Sequence, residues 1–146
     1  MTQVSDFVAI DMGNTLVKIA HFFENKIFKV EKYDFNQLLL SHSTIKKIVT
    51  LKGIYSSVRS EEDNEALEKI LPNCINVSKV NNIPINNLYK SSTLGWDRLL
   101  NAVAIQSLKK TTAALAIDVG TCIKFDFVDN DDYLGGSISP GIQLRY

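Results

Sequence analysis

The chain has 146 residues, 45% hydrophobic and 22% charged, enough for a packed core of ordinary size. Sixteen basic residues cancel sixteen acidic ones, so there is no electrostatic footprint for nucleic acid or an anionic membrane surface. No apolar run approaches membrane-spanning length, the N-terminus lacks the regions of a signal peptide, and Cys74 and Cys122 fit neither a disulfide framework nor a zinc site. The expectation is a soluble protein of a reducing cytoplasm, with no nucleic-acid or membrane partner.

Phe7-Val8-Ala9-Ile10 reads as a buried strand, and after a glycine turn Leu16 to Phe23 alternate as a second. Glu24-Asn25 turns the chain into a third strand over about 26–33, so three antiparallel strands open the fold. Phe35, Leu38 and Leu39 have helical spacing behind a candidate N-cap, Asp34, with an undefined end near His42-Ser43-Thr44. A strand over Gly53–Val58 leads to Ser60-Glu61-Glu62-Asp63, a capping-box pattern, and to a scaffold helix burying Ala66, Leu67, Ile70 and Leu71 before Pro72. A short strand, Cys74–Val77, precedes a polar stretch, 78–93, of the length usually kept for function or motion. Gly95-Trp96-Asp97-Arg98 opens a helix whose Trp96, Leu99, Leu100, Val103 and Leu108 can bury one stripe. The helix dipole favours Asp97 in the first turn but disfavours Arg98, which therefore needs a substrate or an ion pair. After a second hairpin, Gly135 to Gly141 is a glycine-rich segment where backbone can approach a ligand, and a helix is expected from Ile142.

The first turn, Asp11-Met12-Gly13-Asn14-Thr15-Leu16-Val17-Lys18, has the makings of a phosphate site. Gly13 and Asn14 tolerate positive φ, which aims successive N–H groups at an anion; Thr15 adds a hydroxyl and Lys18 a cation. The carboxylate of Asp11 would repel a phosphate unless a magnesium ion or its waters stood between them. A Walker A loop is excluded, because a hairpin follows and there is no Gly-Lys-Ser/Thr. Alone, the turn is equally readable as an ordinary hairpin connection. A second copy, Leu115-Ala116-Ile117-Asp118-Val119-Gly120-Thr121, repeats strand, Asp, Gly, Thr and strand with one residue fewer in the turn. Duplicated phosphate turns imply a pair of ATP-gripping domains facing each other across a cleft.

Four motifs then resemble the type III pantothenate kinases of the acetate and sugar kinase, Hsc70 and actin superfamily. They are Asp11-x-Gly13-Asn14-Thr15-x-x-Lys18, Gly95-x-Asp97-Arg98 with Asn101 and Ala102, Asp118-x-Gly120-Thr121, and Gly135-Gly136-x-Ile138-x-Pro140-Gly141. The resemblance implies an α/β fold: a ribonuclease H-like, actin-like ATPase domain with a mixed sheet over 1–112, then the start of a similar, incomplete domain over 113–146. It also implies that the chain is an N-terminal portion. The implied activity is ATP-dependent phosphorylation of pantothenate to 4'-phosphopantothenate in coenzyme A biosynthesis, by a homodimer using Mg²⁺ and a monovalent cation, K⁺ or NH₄⁺.

By this resemblance Asp97 is the general base and residues 11–18 with Thr121 bind ATP. Tyr89, Gly95, Trp96, Asp97 and Arg98 line the pantothenate pocket, and Asp118 holds the monovalent cation. A Mg²⁺ ion held through water at Asp11 joins the chemical reading to the family's. The chain departs from the family's Gly-Thr-Ala-x-Thr at Cys122 and Lys124. Lys124 can bind phosphate, fill the site or point into solvent. The other readings open on these residues are a non-catalytic nucleotide-binding or transcription accessory-type relative, and another phosphotransferase on the same superfold.

Overall fold

In the computed structural model, residues 6–108 and 110–142 are described, and they fall into two units, Met1–Val80 and Asn81–Tyr146. The first unit is built on strands β1 (Phe7–Met12), β2 (Val17–Phe23), β3 (Lys26–Tyr33), β4 (Lys52–Ser57) and β5 (Cys74–Asn76), in sheet order β3-β2-β1-β4-β5. The meander β1-β2-β3 is antiparallel, whereas β4 joins β1, and β5 joins β4, in parallel. Glu24 and Asn25 take φ of 48° and 61°, the left-handed pair that a tight two-residue hairpin requires.

The parallel pairings need crossovers, which the helices supply. Helix α1 (Phe35–Leu40) is capped by Asp34, whose carboxylate accepts from the Asn36 N–H at 2.9 Å. It breaks at Ser41, and α2 (His42–Ile48) follows, so the undefined helix end of the sequence is a real break. Helix α3 (Glu61–Ile70) carries the expected cap, with Ser60 accepting from the Asp63 N–H, and stops at Leu71. Val8, Ile10, Met12, Val17, Ile19, Phe35, Leu38, Ile48, Tyr55, Leu67 and Leu71 pack with Cys74 in one core. Each apolar side chain so buried stabilises the unit by about 1.5–3 kcal/mol.

The second unit repeats the meander. Strands β7 (Ala113–Val119), β8 (Cys122–Asp129) and β9 (Asp132–Pro140) pair antiparallel, and the two-residue β6 (Asn86–Asn87), from the long polar stretch, adds in parallel to β9. Helix α4 (Trp96–Leu108) packs on β7 and β8, where Leu99 and Ala102 meet Val128 and Tyr133. That packing groups α4 with the second meander, so the division between the units falls at 80/81, ahead of the 112/113 expected from the repeated hairpin. Alternation leaves Leu115, Ile117 and Val119 exposed on one face of β7, with Phe127 opposite Leu115. Ile142 is the last described residue, and the helix expected from it lies outside the described residues.

Candidate functional site

In the first unit, β1 and β2 bring Asp11 and Lys18 opposite each other, and Lys18 Nζ donates to Asp11 Oδ2 at 3.1 Å. The turn between them does not use positive φ at Gly13 or Asn14. The Gly13 N–H instead donates to Leu16 O at 3.1 Å, closing the turn with ordinary backbone angles. Met12 and Val17 are core residues, so only their backbone can face a ligand, while Asn14, Thr15 and Leu16 are exposed.

Arg59, to which sequence reasoning assigned nothing, holds this turn from behind. Its Nη1 donates to Gly13 O at 3.2 Å and Asn14 O at 3.0 Å, and its Nε to Asp63 Oδ2 at 2.7 Å. The guanidinium also lies 4.6 Å over the Phe35 ring. A planar fork can serve all three partners together, which a lysine cannot. The half-exposed Asp11 carboxylate suits magnesium, which takes one or two carboxylates and keeps several waters and phosphate oxygens. Among the described residues no cluster of three or more His, Cys, Asp or Glu side chains could hold a metal alone.

In the second unit, Gly95 starts α4, its carbonyl accepting from the Arg98 N–H at 3.2 Å. A β-carbon on Gly95 would collide with Asp97 Oδ1, so glycine there leaves room for that carboxylate over the helix start. Lys124 bridges two acids: its Nζ donates to Asp97 Oδ2 at 2.5 Å and to Asp118 Oδ2 at 3.0 Å. Burial works against its charge, but the two carboxylates outweigh burial and hold the ammonium above the ordinary lysine range. The open question over Lys124 is thereby answered: it fills the space between Asp97 and Asp118. Thr121 is exposed, and its carbonyl accepts from the Gly141 N–H at 3.0 Å.

Arg98 has found its ion pair. Its Nη2 and Nε lie 2.7 and 2.9 Å from Asp126 Oδ1, and Tyr133 donates to the same oxygen at 2.6 Å, all three side chains being buried. Tyr89 lies against this group, its ring 5.9 Å from the Arg98 guanidinium and 6.1 Å from the Tyr133 ring. Trp96 is half-buried against the same core. The Gly136 backbone packs so closely on Phe125 O and Arg98 Nη2 that a side chain would collide with both. There the glycine-rich strand approaches the protein's own groups, not an open ligand surface. The signal that could have paired Arg98 with Asp126 was alternation on β8, which puts Asp126 on the same face as Lys124.

A mixed sheet led by an antiparallel meander, repeated with the same Asp-x-Gly turn, defines the ribonuclease H-like, actin-like ATPase fold. A Campylobacter jejuni protein described as a Baf family transcriptional activator shares it, with a TM-score of 0.61, 22% identity, and coverage of 94% of this chain and 56% of that one. So does the Ppx/GppA family member of Aquifex aeolicus, with a TM-score of 0.56, 14% identity, and coverage of 94% and 52%. The chain belongs to the type III pantothenate kinase family, whose sequence model matches residues 7–146. It is 37% identical over 141 residues to the type III pantothenate kinase of Phocaeicola vulgatus, covering 94% of this chain and 58% of the relative. Against that of Flavobacterium psychrophilum it is 39% identical over 150 residues, covering 95% and 60%. The chain thus spans less than two thirds of these relatives.

Proposed function

We propose that the intact protein phosphorylates pantothenate to 4'-phosphopantothenate with ATP, as a cytoplasmic homodimer in coenzyme A biosynthesis. The observation that carries this reading is Asp97, held in the first turn of α4 over Gly95 with its side chain 24% exposed, in a chain of this family. A primary alcohol is a poor nucleophile at neutral pH, and Asp97 accepts its proton as the γ-phosphoryl group leaves ATP. Tyr89, Gly95 and Trp96 shape the pantothenate pocket, and Arg98, bound to Asp126, acts there through its remaining edge and by fixing the start of α4. The turn 11–18 binds ATP phosphates, and Thr121 contributes a further nucleotide contact. When bound near Asp11, Mg²⁺ supplies charge neutralisation at the β- and γ-phosphates. Residues 113–146 open the second of two actin-like domains.

A monovalent cation between Asp118 and Asp97 does not fit the residues present, because the Lys124 ammonium already stands there, 3.0 Å from Asp118 Oδ2 and 2.5 Å from Asp97 Oδ2. The same ammonium sits on Asp97, the atom meant to accept the proton, and this favours a second reading, a nucleotide-binding relative without transfer. One comparison separates the two: transfer of labelled γ-phosphate from ATP to pantothenate by the intact protein and its Asp97→Asn variant. Turnover should fall about 10²- to 10⁴-fold in the variant while ATP affinity holds. Absence of 4'-phosphopantothenate with the unaltered protein, or turnover indifferent to the substitution, overturns the kinase reading.

A further inference from the structure

The second turn carries a cation of its own. Asp118 and Lys124 are direct partners across β7 and β8, so the lysine leaves the strand on the face from which the aspartate projects. Its Nζ then meets Asp118 Oδ2 at 3.0 Å and Asp97 Oδ2 at 2.5 Å, with the side chain only 22% exposed. Two carboxylates this close to one point would repel each other and draw a monovalent cation from solution. A lysine ammonium has the charge of K⁺ or NH₄⁺ and nearly their size, but is delivered by a covalent tether. Two strong contacts exceed what a surface lysine gains from a passing partner.

We propose that the Lys124 ammonium is a built-in monovalent cation of this site, standing where a dissolved one would bind Asp118 and making the protein indifferent to K⁺ and NH₄⁺. The inference rests on the kinase reading for what the site does with that charge, but the charge itself can be tested separately. An added potassium ion would have to displace the ammonium or stand beside a like charge, and either arrangement is unfavourable next to the one already made. Replacing Lys124 by threonine removes the tether and leaves Asp97 and Asp118 to recruit a cation from solution.

The decisive measurement is binding of thallium(I), a spectroscopic substitute for potassium, followed by its NMR line on the intact protein with ATP present. The unaltered protein should show no saturable thallium binding, and Lys124→Thr should acquire it. In parallel, ATP affinity and turnover are compared in potassium, sodium and choline chlorides at matched ionic strength. The unaltered protein should be the same in all three. The variant should be roughly 10- to 100-fold better in potassium, the range expected for one contact to a charged group. Saturable thallium binding by the unaltered protein, or its absence from protein and variant alike, overturns the proposal. If neither form turns over pantothenate in any salt, the kinase reading fails while the thallium result still decides the cation. Should Lys124→Thr fail to fold, Lys124→Gln, which keeps the length without the charge, takes its place with the same two outcomes.

Discussion

Lys18 faces Asp11 across the first hairpin as Lys124 faces Asp118 across the second, yet the two pairs live in different surroundings. The first stands half in water, its side chains 51% and 50% exposed, and makes no other ion pair among the described residues. In the second, the lysine is 22% exposed and shared with Asp97 from the start of α4. What packs over a hairpin therefore decides what the same cross-strand pair does. Over the first, Arg59 grips the turn's backbone and leaves the pair exposed; over the second, a helix brings a third charge and covers it.

The comparison breaks most visibly beneath the second hairpin. Arg98→Ala leaves the Asp126 carboxylate, with 1% of its side chain exposed, without its cation, where removal of one partner of a buried pair typically costs about 3–5 kcal/mol. Trp96, the single tryptophan, lies in the same unit and reports its unfolding by fluorescence. A denaturation midpoint lowered to that extent is expected, with partial recovery in Arg98→Met/Asp126→Leu. A loss below about 1 kcal/mol would mean that the pair is no better than a surface one.

Arg59→Ala should cost less, roughly 1.5–3 kcal/mol for hydrogen bonds made by a charged group, because its side chain keeps 21% exposure. If the turn binds ATP as proposed, the larger effect of Arg59→Ala should be on ATP affinity, through the lost hold on Gly13 O and Asn14 O. Arg59→Lys, which keeps the charge but not the fork, should recover stability better than affinity.

Of these two arginines, Arg98 was legible as a residue that needs a partner, and Arg59 was not legible at all. The meanders, the caps at Asp34 and Ser60 and the repeated turn are local patterns, set by period-two alternation and by side chains two or three residues from their partners. Lys124 was nearly legible, since six residues separate it from Asp118 as seven separate Lys18 from Asp11, in a turn one residue shorter. Its second acceptor, Asp97, lies 27 residues away and depends on how α4 lands on the sheet. Arg59 reaches Gly13 across 46 residues, and no local pattern announces it. Positive φ at Gly13 was inferred from what glycine permits, but the turn closes without it.

Each unit also buries a tyrosine whose phenol donates to an acid, Tyr55 to Glu68 and Tyr133 to Asp126, each at 2.6 Å. Burial first, and then the neighbouring carboxylate, push both phenols well above their ordinary range. Below about pH 10 these tyrosines are protonated in folded and unfolded chains alike, so their contribution to stability is fully present and does not vary with pH. Above it the unfolded chain releases a proton that the folded one keeps, so stability falls, by at most about 1.4 kcal/mol per pH unit for each phenol. Tyr133→Phe should flatten that alkaline fall as read by Trp96 fluorescence, and Tyr55→Phe should flatten it as read by circular dichroism.

The smallest effect on stability is expected from Lys18→Gln. The pair it breaks is exposed on both sides and made at 3.1 Å, so water replaces what is lost, and the change should stay within about 1 kcal/mol and shrink further in high salt. On the proposed reading that weakness suits a phosphate ligand: an ammonium in an exposed pair with Asp11 is available to ATP, whereas one held between Asp97 and Asp118 is not. Lys18→Gln should therefore lower ATP affinity, by about tenfold for one charge-assisted contact, while scarcely moving the denaturation midpoint. A midpoint loss above about 2 kcal/mol with unchanged ATP affinity would show the first pair to be as structural as the second, and the contrast between the hairpins would collapse.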